Sequence, residues 1–290
     1  MPFIADSRSQ TVSTTLFVPM RLYAGLIFIT SALIAMPDGS LWLAPAKAAV
    51  PASVIVSLQF LVGAALVAGA FTPYAAMLGV LLLVHVLAVT EKIGPLAPVN
   101  PGELNALTYM LITLACARAG MAFGVDALRA RRRGAPASGL SPRWALAIMR
   151  VYLGAAFLRA AWNKVGAEWS RWPQDMAAFA GRMSVHSIPI YRSLLVDVVF
   201  PHINFFAPAV TIAEITVGIC LVTGTLTRAA AVLGAFLTLN YMLMKGSTIW
   251  MPSNDPVFIL GSLTVAAGAA GRAFGIDYFL HRRFPRLPAA

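Results

Sequence analysis

Residues 211–228 read TIAEITVGICLVTGTLTR, and residues 59–73 read QFLVGAALVAGAFTP. Glu214, Gly218, Leu221, Gly224 and Thr227 fall at the same intervals as Gln59, Gly63, Leu66, Gly69 and Thr72, a constant shift of 155. Working outward, Arg21, Tyr23, Gly25 and Phe28 return as Arg150, Tyr152, Gly154 and Phe157, at a shift of 129. AGMAFGVD at 119–126 returns as AGRAFGID at 270–277, at a shift of 151. Self-similarity of this kind marks a repeated structural unit. A carboxylate in one copy stands where the other has an amide.

The chain of 290 residues is 59% hydrophobic and only 11% charged, with a mean hydropathy of +0.77. These values exclude an ordinary soluble domain. Apolar stretches long enough to cross a hydrocarbon core of about 30 Å as helices fall at about 17–36, 52–70, 74–92, 104–124, 144–163, 205–225, 229–246 and 256–272. The expected fold is therefore all-α: a polytopic membrane protein of two tandem four-helix bundles. Residues 1–128 form the first repeat, 129–143 a basic linker and 144–290 the second repeat. The first span resembles a signal peptide in composition, but its twin at 150–157 marks it as a membrane helix.

A net charge of +11 would suggest nucleic acid in a soluble chain. Here RARRR at 129–133 and HRRFPR at 281–286 flank spans, which is the positive-inside pattern and sets linker and both termini in the cytoplasm. The partner is the lipid bilayer, not nucleic acid. The two cysteines, Cys116 and Cys220, lie within expected spans without CxxC, CxxCH or zinc-ligand spacing. No haem, iron–sulfur or zinc motif is present, and no metal site is expected.

The difference between the shifts of 129 and 155 places an insertion between the first two helices of the second repeat, at about 165–204. It carries Trp169 and Trp172. Met176, Phe179, Ala180 and Met183, then Leu194, Leu195, Val198 and Val199, recur at helical spacing, punctuated by Pro173, Pro189 and Pro201. The segment reads as interfacial helices forming an extracytoplasmic lid.

Counting about 1.5 Å per residue from the cytoplasmic turns, Glu214, Arg159 and Asn240 share one level near the bilayer middle. An isolated charge there costs about 2.5–3.5 kcal/mol, so Arg159 and Glu214 are expected to face inward and pair. Their equivalents, Thr30 and Gln59, are both uncharged, and Asn240 corresponds to His85. His85 reads as a hydrogen-bonding group, with haem or quinone binding the alternative. Lys164, Asn163 and Trp162 follow Arg159, while Lys245, Trp250 and Asp255 cluster at the outer end of the last hairpin. All four lysines (Lys47, Lys92, Lys164 and Lys245) fall on the extracytoplasmic side, where basic groups beside tryptophans suit a small anion. A buried ion pair that fixes helix register is the competing reading of Arg159 and Glu214. Four spans per repeat make the repeats parallel rather than inverted, against an alternating-access transporter.

RVYLGAAFLRAAWNK, the run from PHINFF to TLNY and AGRAFGID, with the pattern E-x3-G-x2-L-x2-G-x2-TR, resemble the DoxX/DoxD family of bacterial and archaeal membrane proteins. The branch nearest in pattern contains the membrane subunit of thiosulfate:quinone oxidoreductase. Matching positions are Arg150, Gly154, Lys164, Glu214, Gly218, Gly224, Arg228 and Asn240, whereas the first repeat has Gln59 for the acid and Ala35 for the lysine. The resemblance implies a cytoplasmic-membrane oxidoreductase subunit, with quinone as acceptor and a small sulfur anion as donor. Glu214 and Arg159 would act in catalysis; Lys164, Trp162, Asn163, Asn240, Lys245, Trp250 and Asp255 would bind substrate. With no redox cofactor motif in the chain, electron transfer is direct or runs through a small partner subunit or larger membrane complex. The alternative is a non-catalytic subunit that anchors such a complex.

Overall fold

A computed structural model of the protein describes residues 11–38, 51–93, 101–134, 140–165, 172–247 and 254–284. Trp169, Trp250, Lys47 and residues 135–139 of the expected linker lie outside them. The chain divides into two compact units, Met1–Met149 and Arg150–Ala290.

In the first unit, strand β1 (Thr11–Ser13) pairs antiparallel with β2 (Leu140–Pro142). Between them run α1 (Val18–Asp38), α2 (Ala52–Ala68), α3 (Thr72–Ile93), α4 (Pro101–Ala117) and α5 (Val125–Arg132). The expected basic linker thus begins as a helix. Asp126 in the first turn of α5, with Arg129, Arg131 and Arg132 in the last, complements the helix macrodipole at both ends.

Helix α6 (Trp144–Val165) leads into the second unit. There follow α7 (Trp172–Met183), a 3₁₀ turn (Ser184–His186), α8 (Pro189–Leu194) and one π turn (Leu195–Val199), the helical insertion expected over 165–204. Ala180 and Leu195 of this insertion form a buried cluster with Met244. Helices α9 (Ile203–Thr223), α10 (Thr227–Lys245), α11 (Asn254–Ala267) and α12 (Asp277–Arg283) complete the unit.

Eight spans are expected from sequence. Among the described residues, four stretches are long and apolar enough to cross a membrane: Thr14–Leu33, Trp144–Lys164, Ile203–Thr223 and Thr227–Lys245. Ser53–Ala68, Thr72–Val86 and Asn105–Ala117 are shorter apolar helices. Helix α11 has 14 residues, about 21 Å of rise against a core of about 30 Å.

Each unit closes on the same latch. Helix α9 ends at Gly224, whose φ of 70° suits glycine at a helix C-terminus. The chain turns through Leu226, itself left-handed, into α10. The first N–H groups of α10 have no helical acceptors; those of Leu226 and Thr227 donate to the Asp277 carboxylate at 2.6 and 2.8 Å. Arg150, almost fully buried, donates to the carbonyls of Ala270 and Phe274 at 3.3 and 3.1 Å. In the first unit, Asp126 accepts from Phe71 and Thr72 at 2.7 and 2.9 Å. Arg21 donates to Ala119 and Ala122 at 2.9 and 2.8 Å. The non-glycine residues with positive φ pair off as Phe71 and Leu226, Arg118 and Ala269, Phe123 and Phe274. Their offsets are those of the sequence matches.

Asp277→Ala leaves two N–H groups without an acceptor and is expected to cost about 2 kcal/mol. The measurement is the unfolding midpoint in detergent, with Asp277→Asn losing less because its amide oxygen still accepts. An Asp277→Ala midpoint equal to that of the unchanged protein would show that the latch does not stabilise the fold.

Candidate functional site

Helices α6 and α9 cross at two glycines. A Cβ built on Gly154 would sit 2.9 Å from the Gly218 carbonyl oxygen and 2.8 Å from the Val222 nitrogen, so only glycine permits this approach. One turn before Gly218, Glu214 turns its side chain inward and is 1% exposed. Its partner is Lys164 at the end of α6, whose ammonium contacts both carboxylate oxygens. From α10, the Tyr241 hydroxyl donates to Glu214 Oε1 at 2.7 Å and accepts from Lys164 Nζ at 3.1 Å. The three groups close a ring of hydrogen bonds.

The insertion covers this ring. Lys164 Nζ lies 5.6 Å from the centre of the Trp172 ring and 5.4 Å from that of Tyr241, within the range of cation–π attraction. Trp172 Nε1 donates to the Ala207 carbonyl at 3.3 Å. Tyr191 of α8 donates to Asn240 Oδ1 at 2.9 Å, and Ser187 donates to the Leu243 carbonyl at 3.0 Å. Burial raises the Tyr191 phenol above its ordinary value, so it stays a donor near neutrality.

The pairing expected of Arg159 and Glu214 is not what the structure holds. Arg159 is exposed and lines a groove on the outside of the α6–α9 contact; the acid is taken by Lys164. The reason is geometric. Arg159 and Lys164 are five residues apart, about 140° around a helix of 3.6 residues per turn, so both cannot face the same neighbour. Lys164 lies about 6 Å beyond Glu214 along the axis by residue count, a gap its flexible stem spans. Asn240 is also on a different contact: it binds Tyr191 and, through Nδ2, the Phe236 carbonyl at 2.7 Å.

Lys245 pairs with Asp255 at 2.9 and 3.0 Å. Lys164 and Lys245, expected to bind the anion, are thus each on a carboxylate, and Arg159 lies on an outer face. Trp162 is 75% exposed, Asn163 is exposed, and Trp250 lies outside the described residues. Tyr241 is the member that sequence reading passed over. Its signal was present: it follows Asn240 directly, one position around the helix towards Glu214.

The first unit lacks this ring. Positions equivalent to Lys164, Glu214 and Tyr241 are Ala35, Gln59 and Val86. Gln59 is fully buried, and neither its amide nitrogen nor its oxygen has a hydrogen-bond partner among the described residues. His85 Nε2 is likewise buried without a partner among them.

Residues 145–245 match the DoxX family model. The match runs from the second residue of α6 to the last of α10 and contains Lys164, Glu214 and Tyr241. No curated protein and no solved structure matches the chain. The second unit therefore carries a DoxX domain, and the apolar helices make the chain a membrane protein in contact with lipid.

Glu214→Gln leaves the Lys164 ammonium buried without its counter-ion and is expected to lower stability by about 3 kcal/mol; adding Lys164→Met should recover most of the loss. Chemical unfolding in detergent reads both. A double variant no more stable than Glu214→Gln alone would show that the loss has another source.

Proposed function

We propose that this DoxX domain is the working half of a quinone-linked membrane oxidoreductase subunit, with a small sulfur anion such as thiosulfate as donor. The overall reaction is two thiosulfate ions, one quinone and two protons giving tetrathionate and one quinol. One sulfur–sulfur bond forms, two electrons leave the sulfur, and the quinone takes two electrons and two protons. The observation that carries the reading is the ring of Lys164, Glu214 and Tyr241 beneath α7 and α8.

Quinone reduction needs protons that the hydrocarbon core does not supply. The Lys164 ammonium and the Tyr241 hydroxyl each hold one against the Glu214 carboxylate. Proton transfer by such positioned groups contributes about 10²–10⁴-fold to a reaction. Electrons pass directly between the substrates or through a partner subunit. In this reading Asn163, Asn240, Lys245 and Asp255 line the approach of the anion, and Lys164 or Lys245 must leave its carboxylate to meet it. The architecture we propose is a tandem duplication of four-helix units, eight spans in all, with termini in the cytoplasm of a bacterial or archaeal cell. The recurring latches support it, as does the close approach of Gly25 and Gly63 in the first unit, where a Cβ on Gly25 would sit 2.9 Å from the Gly63 carbonyl oxygen, matching Gly154 and Gly218.

A specific observation favours a second reading, a non-catalytic subunit that anchors a larger redox or biosynthetic complex. Lys164 and Lys245 are each already neutralised, as a structural ion pair requires.

The test is quinone reduction by purified protein in liposomes supplied with thiosulfate. Tyr241→Phe keeps the ion pair and removes only the hydroxyl. It should lower kcat by about 10²-fold while the protein still unfolds cooperatively, at a midpoint lowered by the lost hydrogen bond to the carboxylate. No turnover by the unaltered protein with thiosulfate or other small reductants selects the anchoring role instead.

A further inference from the structure

The contact between α6 and α9 has two faces. Inside lie Lys164 and Glu214. Outside, above the crossing of Gly154 and Gly218, the helices leave a groove of about 650 Å³ lined by Leu158, Arg159, Ala161, Trp162 and Ile215. Its size falls within the roughly 300–1,000 Å³ of small-ligand pockets. The lining is almost wholly apolar, and Arg159 contributes chiefly its aliphatic stem to it.

Arg159 is exposed, with no hydrogen bond or ion pair to any described residue. It sits inside the span Trp144–Lys164, six residues before the end of α6 at Val165, about 9 Å along the axis. A charged guanidinium on a span is costly in hydrocarbon without an anion beside it. On a face turned to the bilayer, the anions at hand are lipid headgroups.

We infer that the groove is a binding site for an anionic phospholipid of the leaflet on the side of α7 and α8. Its phosphate is held by Arg159 and one acyl chain lies along Leu158, Ala161 and Ile215. Three features select this ligand. The planar guanidinium pairs two oxygens of a phosphate at once. The long Arg stem reaches from the apolar lining towards headgroup depth. Trp162, one turn nearer the helix end and largely exposed, is the residue type that sits at the membrane–water interface. The lipid would also seal the outer side of the helix pair whose inner side holds the ion pair. The site does not depend on the redox reading, because Arg159 and the groove lie outside the hydrogen-bonded ring.

The experiment is native mass spectrometry of the full chain, stripped of lipid in detergent. It is then titrated with phosphatidylglycerol, with phosphatidylethanolamine of the same chains, or with inorganic phosphate. One phosphatidylglycerol should bind per chain, about tenfold tighter than phosphatidylethanolamine, and phosphate alone should not bind. Arg159→Gln should abolish the preference, and Ile215→Trp, which fills the groove and leaves the charge, should weaken binding of both lipids. A lipid-free unfolding midpoint equal to that of the unchanged protein shows that either variant is folded. Equal binding of the two lipids, phosphate binding without a lipid tail, or a preference that survives in a folded variant would each overturn the proposal. So would efficient cross-linking of Ala161→Cys to a second copy or another protein in membranes, which would make this face a protein interface.

Discussion

A carboxylate buried among apolar helices needs a positive partner on its own face, and the second unit is arranged to provide one for Glu214. The requirement selects residues on three helices. Gly154 and Gly218 bring α6 and α9 into backbone contact. Lys164 reaches back along its stem, and Tyr241 fills the remaining position on the acid. Desolvating two charges is repaid only when geometry is good and the remaining hydrogen-bond capacity is used. The tyrosine uses it, which is why the ring has three members rather than two. Where the first unit puts Gln59, Ala35 and Val86, all three members are missing together.

Much of the fold was legible because its markers are backbone requirements. Glycines at helix crossings, the turn at Gly224 and the Gly–x–Asp endings recur at fixed offsets, and each has one steric or hydrogen-bonding reason to be there. The insertion was legible as well, since a change in offset measures its length directly. Its faces were read less well: of Met176, Phe179, Ala180 and Met183, only Ala180 is buried. A short amphipathic helix at a membrane surface has two apolar environments available, protein and lipid, and hydrophobic spacing does not distinguish them.

The site was legible at the level of residues but not of pairs. Depth along an axis ranked Arg159 as the match for Glu214. Rotation about the axis and the reach of a lysine stem decided for Lys164. Axial position is linear in residue count, so it survives a reading without coordinates. Azimuth accumulates 100° per residue, and a few degrees of helix curvature or crossing angle change which side chain arrives. Asn240 shows the same effect: it shares the level of Glu214 but turns to Tyr191. Tyr241, its neighbour, completes the ring.

The latch has a consequence for the order of synthesis. Arg150 enters with α6, but its carbonyl acceptor at Ala270 is 120 residues later in the chain. At about 5–20 residues per second, the guanidinium waits about 6–24 s before the groups that satisfy it exist. Over that interval the nascent second unit carries an unfilled donor at its base and uncapped N–H groups at the start of α10. A chain halted before Ala270 leaves both in place. The first unit has all the groups of its own latch by Asp126, before α6 is made. The groups of the two latches are then completed one after the other.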